Sequence, residues 1–378
     1  MKRWAILMIG GLVICSLVSC GKADSANNEA INKEESNVSE QVDNKEDNAS
    51  EKINNKEEKD KTIDEESEED IQEEDNDEGA EVTVTQEKVG SLLSIGNCAV
   101  EVFGGDENAA KTYAETISDY AEKLEGKDVY NIIVPSHIEF ALPKKYSDLS
   151  KSQKDNIEII KDNESEKVKF VNIYNALKKH KDEYIYFNTD HHWTALGAYY
   201  AYCEFAKEAG FEAIDIKDYE AKRKENFLGT FYASAKDPAL AENPDYVEYY
   251  SVGADSKAWL YKNSIEEEPA FTTVYAEYAK GVNSYGVFLH GDNPLMKIEN
   301  SENTSGKKAV VVKESYGNAF APFLIPHYSE VYVVDLRYFN NNLINFVNEN
   351  EINDVVFINN VFAANTMAHI EKLKAMKQ

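Results

Sequence analysis

The chain is short of the residues that cross-link or interrupt a fold: it has four cysteines, eight prolines and three tryptophans among 378 residues. Cys15 and Cys20 lie in the first twenty residues, so the remainder holds only Cys98 and Cys203. One disulfide is therefore the limit. Since each of the two sits in an apolar pattern, a pair of buried thiols is an equal alternative. Basic charge is also scarce, with 40 Lys and Arg against 69 Asp and Glu and a formal charge of −29. That balance argues against a nucleic-acid partner, because phosphate backbones are bound through excess Lys and Arg. Long apolar runs are missing beyond Ala5–Val18, itself too short for a membrane span. There is no calcium-loop spacing and no internal repeat.

What the N-terminus does contain is a targeting pattern. Lys2 and Arg3 precede the apolar run, as in a secretory signal of residues 1–20. Leu17-Val18-Ser19-Cys20-Gly21 resembles a bacterial lipobox, which implies cleavage before Cys20 and lipidation of its thiol. Residues 21–85 carry 24 acidic and 7 basic side chains, hence −17 of the total charge, with almost no aromatic ring. Such a segment cannot bury enough apolar surface to offset its ordering entropy and reads as a disordered tether with a mean reach of about 40–50 Å. Residues 86–378 are long enough for one large domain or a domain with an insertion.

Within that domain strands and helices alternate. Val89–Phe103 reads as opening strands, Ala109–Leu124 has helical spacing, and Val129–Pro135 is a buried strand. Ile157–His180 reads as mostly helical, Tyr184–Phe187 as a short buried strand, and the stretch from Thr194 to about Gly210 as a helix. Further strands are expected at Val310–Val312, Glu330–Asp335 and Asp354–Asn360. This alternation predicts an α/β domain whose mostly parallel sheet is flanked by helices. Residues of about 240–300 differ, with short aromatic, alternating runs that suggest a small antiparallel β insertion packed on the main sheet. Their tyrosines suit either a carbohydrate-stacking surface or ordinary sheet packing.

Two stretches carry chemistry. Asp190-His191-His192 lies just past an expected strand end and just before a helix, where open α/β sheets place their sites. In an extended stretch Asp190 and His192 share a side and His191 points away, so Asp190 can accept the Nδ1–H of His192 and fix its tautomer. The missing nucleophile is found in Glu314-Ser315-Tyr316-Gly317, a strand-to-helix turn that exposes a hydroxyl and aims backbone N–H groups at a developing oxyanion. Ser315 as nucleophile, His192 as base and Asp190 as its orienter complete a triad.

Other residues are candidates for oxyanion or substrate contacts. Asn359 or Asn360, at a strand end, can supply an amide N–H or serve as a helix cap. Arg337 can pair with Asp335 or a substrate, Tyr316 follows the serine, and Lys313 shares the serine's side of its strand. Trp193 is expected to pack beneath the His192 ring. Ser136 and His137 follow a strand, so His137 can line the site, although adjacent residues diverge too much to pair. A metal reading of Asp190, His191 and His192 needs a further ligand, for which His290 or Asp292 is available, and leaves the serine turn unexplained.

Asp190-His191-His192-Trp193 with Thr194 and Gly197-Ala198 resembles the signature of the bacterial DHHW family. Lys313-Glu-Ser-Tyr-Gly-Asn-Ala-Phe320 and Asp335-Leu-Arg-Tyr-Phe339 resemble its second and third blocks, so the likeness runs roughly from Lys88 to the C-terminus. The family is similar in turn to the SGNH-like domain of alginate O-acetyltransferases, in which the His-containing motif precedes the serine in a circularly permuted order. The resemblance implies a circularly permuted SGNH-hydrolase-like sheet and O-acetyl transfer to an exported or cell-surface polysaccharide, without a cofactor. It also implies a membrane-bound O-acyltransferase as acetyl supplier. The lipobox adds a lipid anchor on the outer face of a bacterial membrane. A carbohydrate O-acetylesterase and a non-catalytic glycan-binding or scaffold lipoprotein are the alternatives.

Overall fold

Val310, Val311 and Val312 are all fully buried, which requires a strand covered on both faces. The computed structural model describes residues 82–86, 91–251 and 255–378. Its first strands are β1 (Val82–Gln86), β2 (Ser91–Ile95), β3 (Cys98–Glu101), β4 (Asp128–Val134), β5 (Val168–Phe170), β6 (Glu220–Phe227) and β7 (Asp245–Ser251). There follow β8 (Ser256–Tyr261), β9 (Ala270–Thr272), β10 (Leu295–Asn300), β11 (Lys308–Lys313), β12 (Glu330–Asp335) and β13 (Asp354–Asn360). The signal segment, Cys20 and most of the acidic tether lie outside the described residues. β1 takes in Val82–Thr85, the last four residues assigned to the tether, and pairs antiparallel with β2.

An eight-stranded sheet in the order β5-β4-β13-β11-β12-β10-β8-β9 dominates the fold. The first five strands are parallel, and β10, β8 and β9 continue the sheet antiparallel. Alternate residues feed two separate cores. Val311, Val333, Val356 and Ile358 pack with Ala198, Tyr202 and Phe205 of the helix Ala195–Ala209. Val310, Val312, Val355 and Phe357 pack with Tyr113, Ile117 and Tyr120 of the helix Glu107–Lys123 and with Ile370 and Leu373 of the C-terminal helix. Each fully buried valine contributes about 1.5–3 kcal/mol, so the central strands are fixed in register by both faces at once.

Three expectations are corrected. Ile157–His180 is not mostly helical: the helix Gln153–Asp162 ends and the three-residue strand β5 precedes the helix Tyr174–Lys179. A strand that short leaves no periodic signal. The antiparallel strands of residues 245–300 do not pack on the sheet as a layer. β10 joins its edge through β12, while β7 pairs with β6 in a separate ribbon. Tyr184–Phe187 makes only an isolated bridge, Tyr186 to Trp193, because it folds back on the residues that follow it. Cys98 and Cys203 are free thiols, and burial pushes the Cys98 thiol up to about 12. Among the described residues no helix is long and apolar enough to cross a membrane.

Candidate active site

The Asp190 turn is closed by its own backbone. Phe187 N–H donates to the His192 carbonyl at 3.2 Å and Thr194 N–H to the Ile185 carbonyl at 2.9 Å. Inside the loop, the buried Asp245 carboxylate accepts from Thr189 N–H at 2.7 Å, Thr189 Oγ1 at 2.6 Å and Asn188 N–H at 3.0 Å. Asp190 Oδ1 then accepts from the backbone N–H of His192 at 3.0 Å and from its Nδ1–H at 2.6 Å. A side-chain turn of this kind, rather than strand alternation, brings carboxylate and imidazole to one side. Thr194 caps the following helix, and Gly197 is required there, since a Cβ would stand 2.6 Å from the Ile185 carbonyl oxygen.

The second oxygen of Asp190 is held from the short loop between β6 and the helix Thr230–Ala235, by that helix's first residue, Thr230, through its N–H at 2.8 Å and its Oγ1 at 3.0 Å. Gly229 lets that loop approach: a Cβ would lie 2.2 Å from Asp190 Cβ. Burial pushes the Asp190 carboxyl up, but His192, His191 and the Thr230 N–H outweigh it and hold it well below the usual carboxylate range. Asp190 is therefore an ionised acceptor that keeps Nε2 of His192 as the basic nitrogen.

Opposite Nε2 stands Ser315. β11 ends at Lys313, the chain turns through Glu314–Tyr316, and a short helix begins at Gly317. The Ser315 hydroxyl donates to His192 Nε2 at 2.8 Å. Ser315 retains 8% exposure and His192 6%, so the pair is shielded but not sealed. The ring beneath His192 belongs to Tyr285, stacked at 3.9 Å and 12°, whose hydroxyl donates to the Ser315 carbonyl at 3.0 Å. Trp193, expected there, instead packs against Tyr316 and donates Nε1–H to its carbonyl at 2.9 Å.

The remaining candidates separate into three groups. Lys313 and Arg337 are committed to an ion network: Lys313 Nζ lies 2.7 Å from Asp335, and Arg337 lies 2.7 Å from Asp335 and 2.8 Å from Asp292. Asn318 adds a donor to Asp292 at 3.0 Å. Asn359 turns into the core, where its amide donates to the Tyr113 hydroxyl at 2.9 Å. Asn360 caps the helix Val361–Ala364 through its Oδ1, at 2.8 Å from Ala363 N, and its Nδ2 has no protein partner among the described residues. Tyr316 sends its hydroxyl to the His191 carbonyl, bracing the turn, and donates its N–H to Glu314 at 3.2 Å.

A cavity of about 60 Å³ adjoins this centre, lined among others by Glu101, Ser136, His137, His191, Tyr316 and Asn360. Ser136 is held by Gln153 at 2.8 Å, and burial lowers His137 to about 4. Burial and the neighbouring His192 lower His191 to about 4 as well. Its Nδ1–H donates to Thr230 Oγ1 at 2.7 Å, in line with the hydroxyl's bond to Asp190. Ligand atoms of Asp190, His191 and His192 lie within 4.8 Å of one another, the start of a metal set. The further ligands considered do not join it, because His290 is bonded to Thr272, Thr273 and Tyr278, and Asp292 is bonded to Lys313 and Arg337. Both nitrogens of His192 are also occupied.

Comparison with known proteins adds the lineage. The family profile described as DHHW protein matches residues 7–334. The chain belongs to the DHHW family. A DHHW family protein from Eubacterium siraeum has the same fold, with 31% identity and a TM-score of 0.73 over 78% of this chain and 98% of that one. Bacillus cereus PatB1, solved with a sulfonyl adduct, is similar at 19% identity and a TM-score of 0.63 over 75% and 97%. No curated protein matches the sequence. The motif-based assignment to the DHHW family therefore holds, and the likeness to PatB1 supports a mixed α/β fold with a large, mostly parallel sheet.

Sequence reasoning missed Thr230, Asp245, Tyr285 and the bonds of Glu314. The Gly229-Thr230 pair of the Phe227–Tyr232 stretch is the sequence signal that this segment cradles something. Tyr285 had no such signal, being one of 23 tyrosines.

Proposed function

We propose that this DHHW protein is an O-acetyltransferase acting on an exported or cell-surface polysaccharide, with Ser315, His192 and Asp190 as its catalytic triad. The reading is supported above all by the unbroken chain from Asp190 Oδ1 through His192 to Ser315 Oγ, with links of 2.6 and 2.8 Å. The sulfonyl adduct of PatB1 agrees with it, since sulfonyl reagents trap activated nucleophiles. We read the fold as a circularly permuted SGNH-like sheet with the strands of about 240–300 as an insertion. We read the N-terminal part as a signal, a lipidated Cys20 and a tether that hold the domain outside the membrane.

The chemistry follows from the geometry. Ser315 Oγ attacks the acetyl carbonyl while His192 Nε2 takes its proton, and Asp190 stabilises the imidazolium. The Ser315 N–H and the free Nδ2 of Asn360 are the donors assigned to the oxyanion. Collapse expels the donor's leaving group with the proton from His192, leaving acetyl-Ser315. A sugar hydroxyl then gives its proton to His192 and attacks the ester, and Ser315 leaves with that proton restored. A membrane-bound O-acyltransferase is the proposed supplier of acetyl groups.

The test is incubation with an activated acetyl ester with and without a saccharide acceptor. An acetyl adduct on Ser315 by intact mass, followed by transfer of the ester to sugar, supports the reading. Free acetate alone at any acceptor concentration makes the protein an esterase, and absence of any adduct removes the enzyme reading.

A further inference from the structure

We propose that Glu314 is a positioning residue, whose carboxylate clamps the end of β13 to the serine turn and so aims the Asn360 amide at the reacting carbonyl. The proposal rests on the acyl-transfer reading above. Ladder pairing between β11 and β13 stops at Lys313 and Ile358, two residues short of Asn360. Glu314, 3% exposed, fills the gap: Oε1 accepts Asn360 N–H at 2.9 Å and Oε2 accepts Tyr316 N–H at 3.2 Å. A carboxylate offers a separate oxygen to each backbone N–H, where an amide would turn an NH2 toward one of them, and bonds to a charged acceptor are about twice as strong as neutral ones.

Two other duties fit less well. As a base, Glu314 is the poorer partner for the serine, because Oε2 stands 3.3 Å from Ser315 Oγ whereas His192 Nε2 stands at 2.8 Å. As an electrostatic aid it has the wrong sign, since a negative charge disfavours an oxyanion forming beside it. Geometry is what remains. With its backbone pinned by Glu314 and its Oδ1 by Ala363, Asn360 has a single orientation for its Nδ2.

The test uses the full chain carrying Glu314→Gln, Asn360→Ala or both, with p-nitrophenyl acetate turnover and amide hydrogen exchange as readouts. Removing one oxyanion donor costs about 10²–10³ in kcat, so we expect Glu314→Gln to lower kcat by about tenfold to a hundredfold with little change in KM. The double variant should fall no further than Asn360→Ala, because both act through one donor. Exchange at the Asn360 and Tyr316 amides should quicken by about tenfold or more in Glu314→Gln, with Glu314→Asp intermediate. Unchanged exchange, or losses that multiply in the double variant, overturn the clamp. If Glu314→Gln does not fold, Glu314→Asp carries the same two readouts. A wild type inert toward the ester defeats the acyl-transfer reading instead, and the exchange result still decides the clamp.

Discussion

On one side of Ser315, Lys313, Arg337, Asp335 and Asp292 form a closed set in which two cations meet two carboxylates. On the other side, Asp190, His192 and Ser315 form an open chain that ends in a hydroxyl. The open chain is buried throughout, whereas the closed set runs from buried Lys313 and Asp335 out to half-buried Arg337 and exposed Asp292, and the two do opposite things. In the closed set Arg337 is raised above its ordinary value because Asp335 and Asp292 outweigh the effect of burial, so its charge is locked. Such a cluster holds the ends of β11 and β12 together. In the open chain the carboxylate is fixed by His192 and Thr230, while the far nitrogen meets a group that can lose its proton. Saturation makes a brace, and one unsaturated end is what the proposed chemistry requires.

The largest effect should come from breaking the open chain. Ser315→Ala and His192→Ala should each lower turnover by several orders of magnitude, and the double variant should add little, measured as acetyl release from an activated ester. Next comes the closed set: Lys313→Met should destabilise the fold by about 3–5 kcal/mol, read from urea unfolding, because Asp335 is left buried with half its compensation. If Lys313→Met instead keeps full stability and loses only turnover, the division between brace and reactive centre fails. His191→Ala should be milder than His192→Ala, reducing turnover by about tenfold, or 1.4 kcal/mol. Equal losses at the two histidines would favour a metal.

The smallest effect lies outside both clusters. Burial lowers His327 from 6.5 to about 4, where its Nε2 accepts from Tyr202 at 2.6 Å. Below about 6.5 the unfolded chain takes up a proton that the folded state refuses, so this contribution is complete above that pH and is lost as pH falls toward about 4. A plot of Tm against pH should drop through that window, and His327→Gln should drop less.

The parallel sheet was legible because Val310–Val312 and Val355–Ile358 are apolar on both faces, a pattern that leaves few alternatives. The juxtaposition of Asp190, His192 and Ser315, a triad only under the proposed function, was legible because an Asp-x-His spacing and a serine after a β-branched run each have a chemical logic. The Asp-x-His spacing reads as strand alternation, yet a side-chain turn sets Asp190 beside His192. What stayed hidden lies between elements. Tyr285 beneath the imidazole and Thr230 on Asp190 depend on how distant loops fold over the sheet, and no local period encodes that. Asn360 was ambiguous from sequence for a sound reason, because one side chain can cap a helix with its oxygen and keep its nitrogen free.

Ser315 and His192 are 123 positions apart, and the ring stacked on that imidazole arrives from a third segment between them. The alcohol is therefore ordinary until the last strands have been made and seated. A chain that has not yet folded does not hold Ser315 against His192. Under the proposed acyl-transfer reading, chemistry begins only once folding has finished.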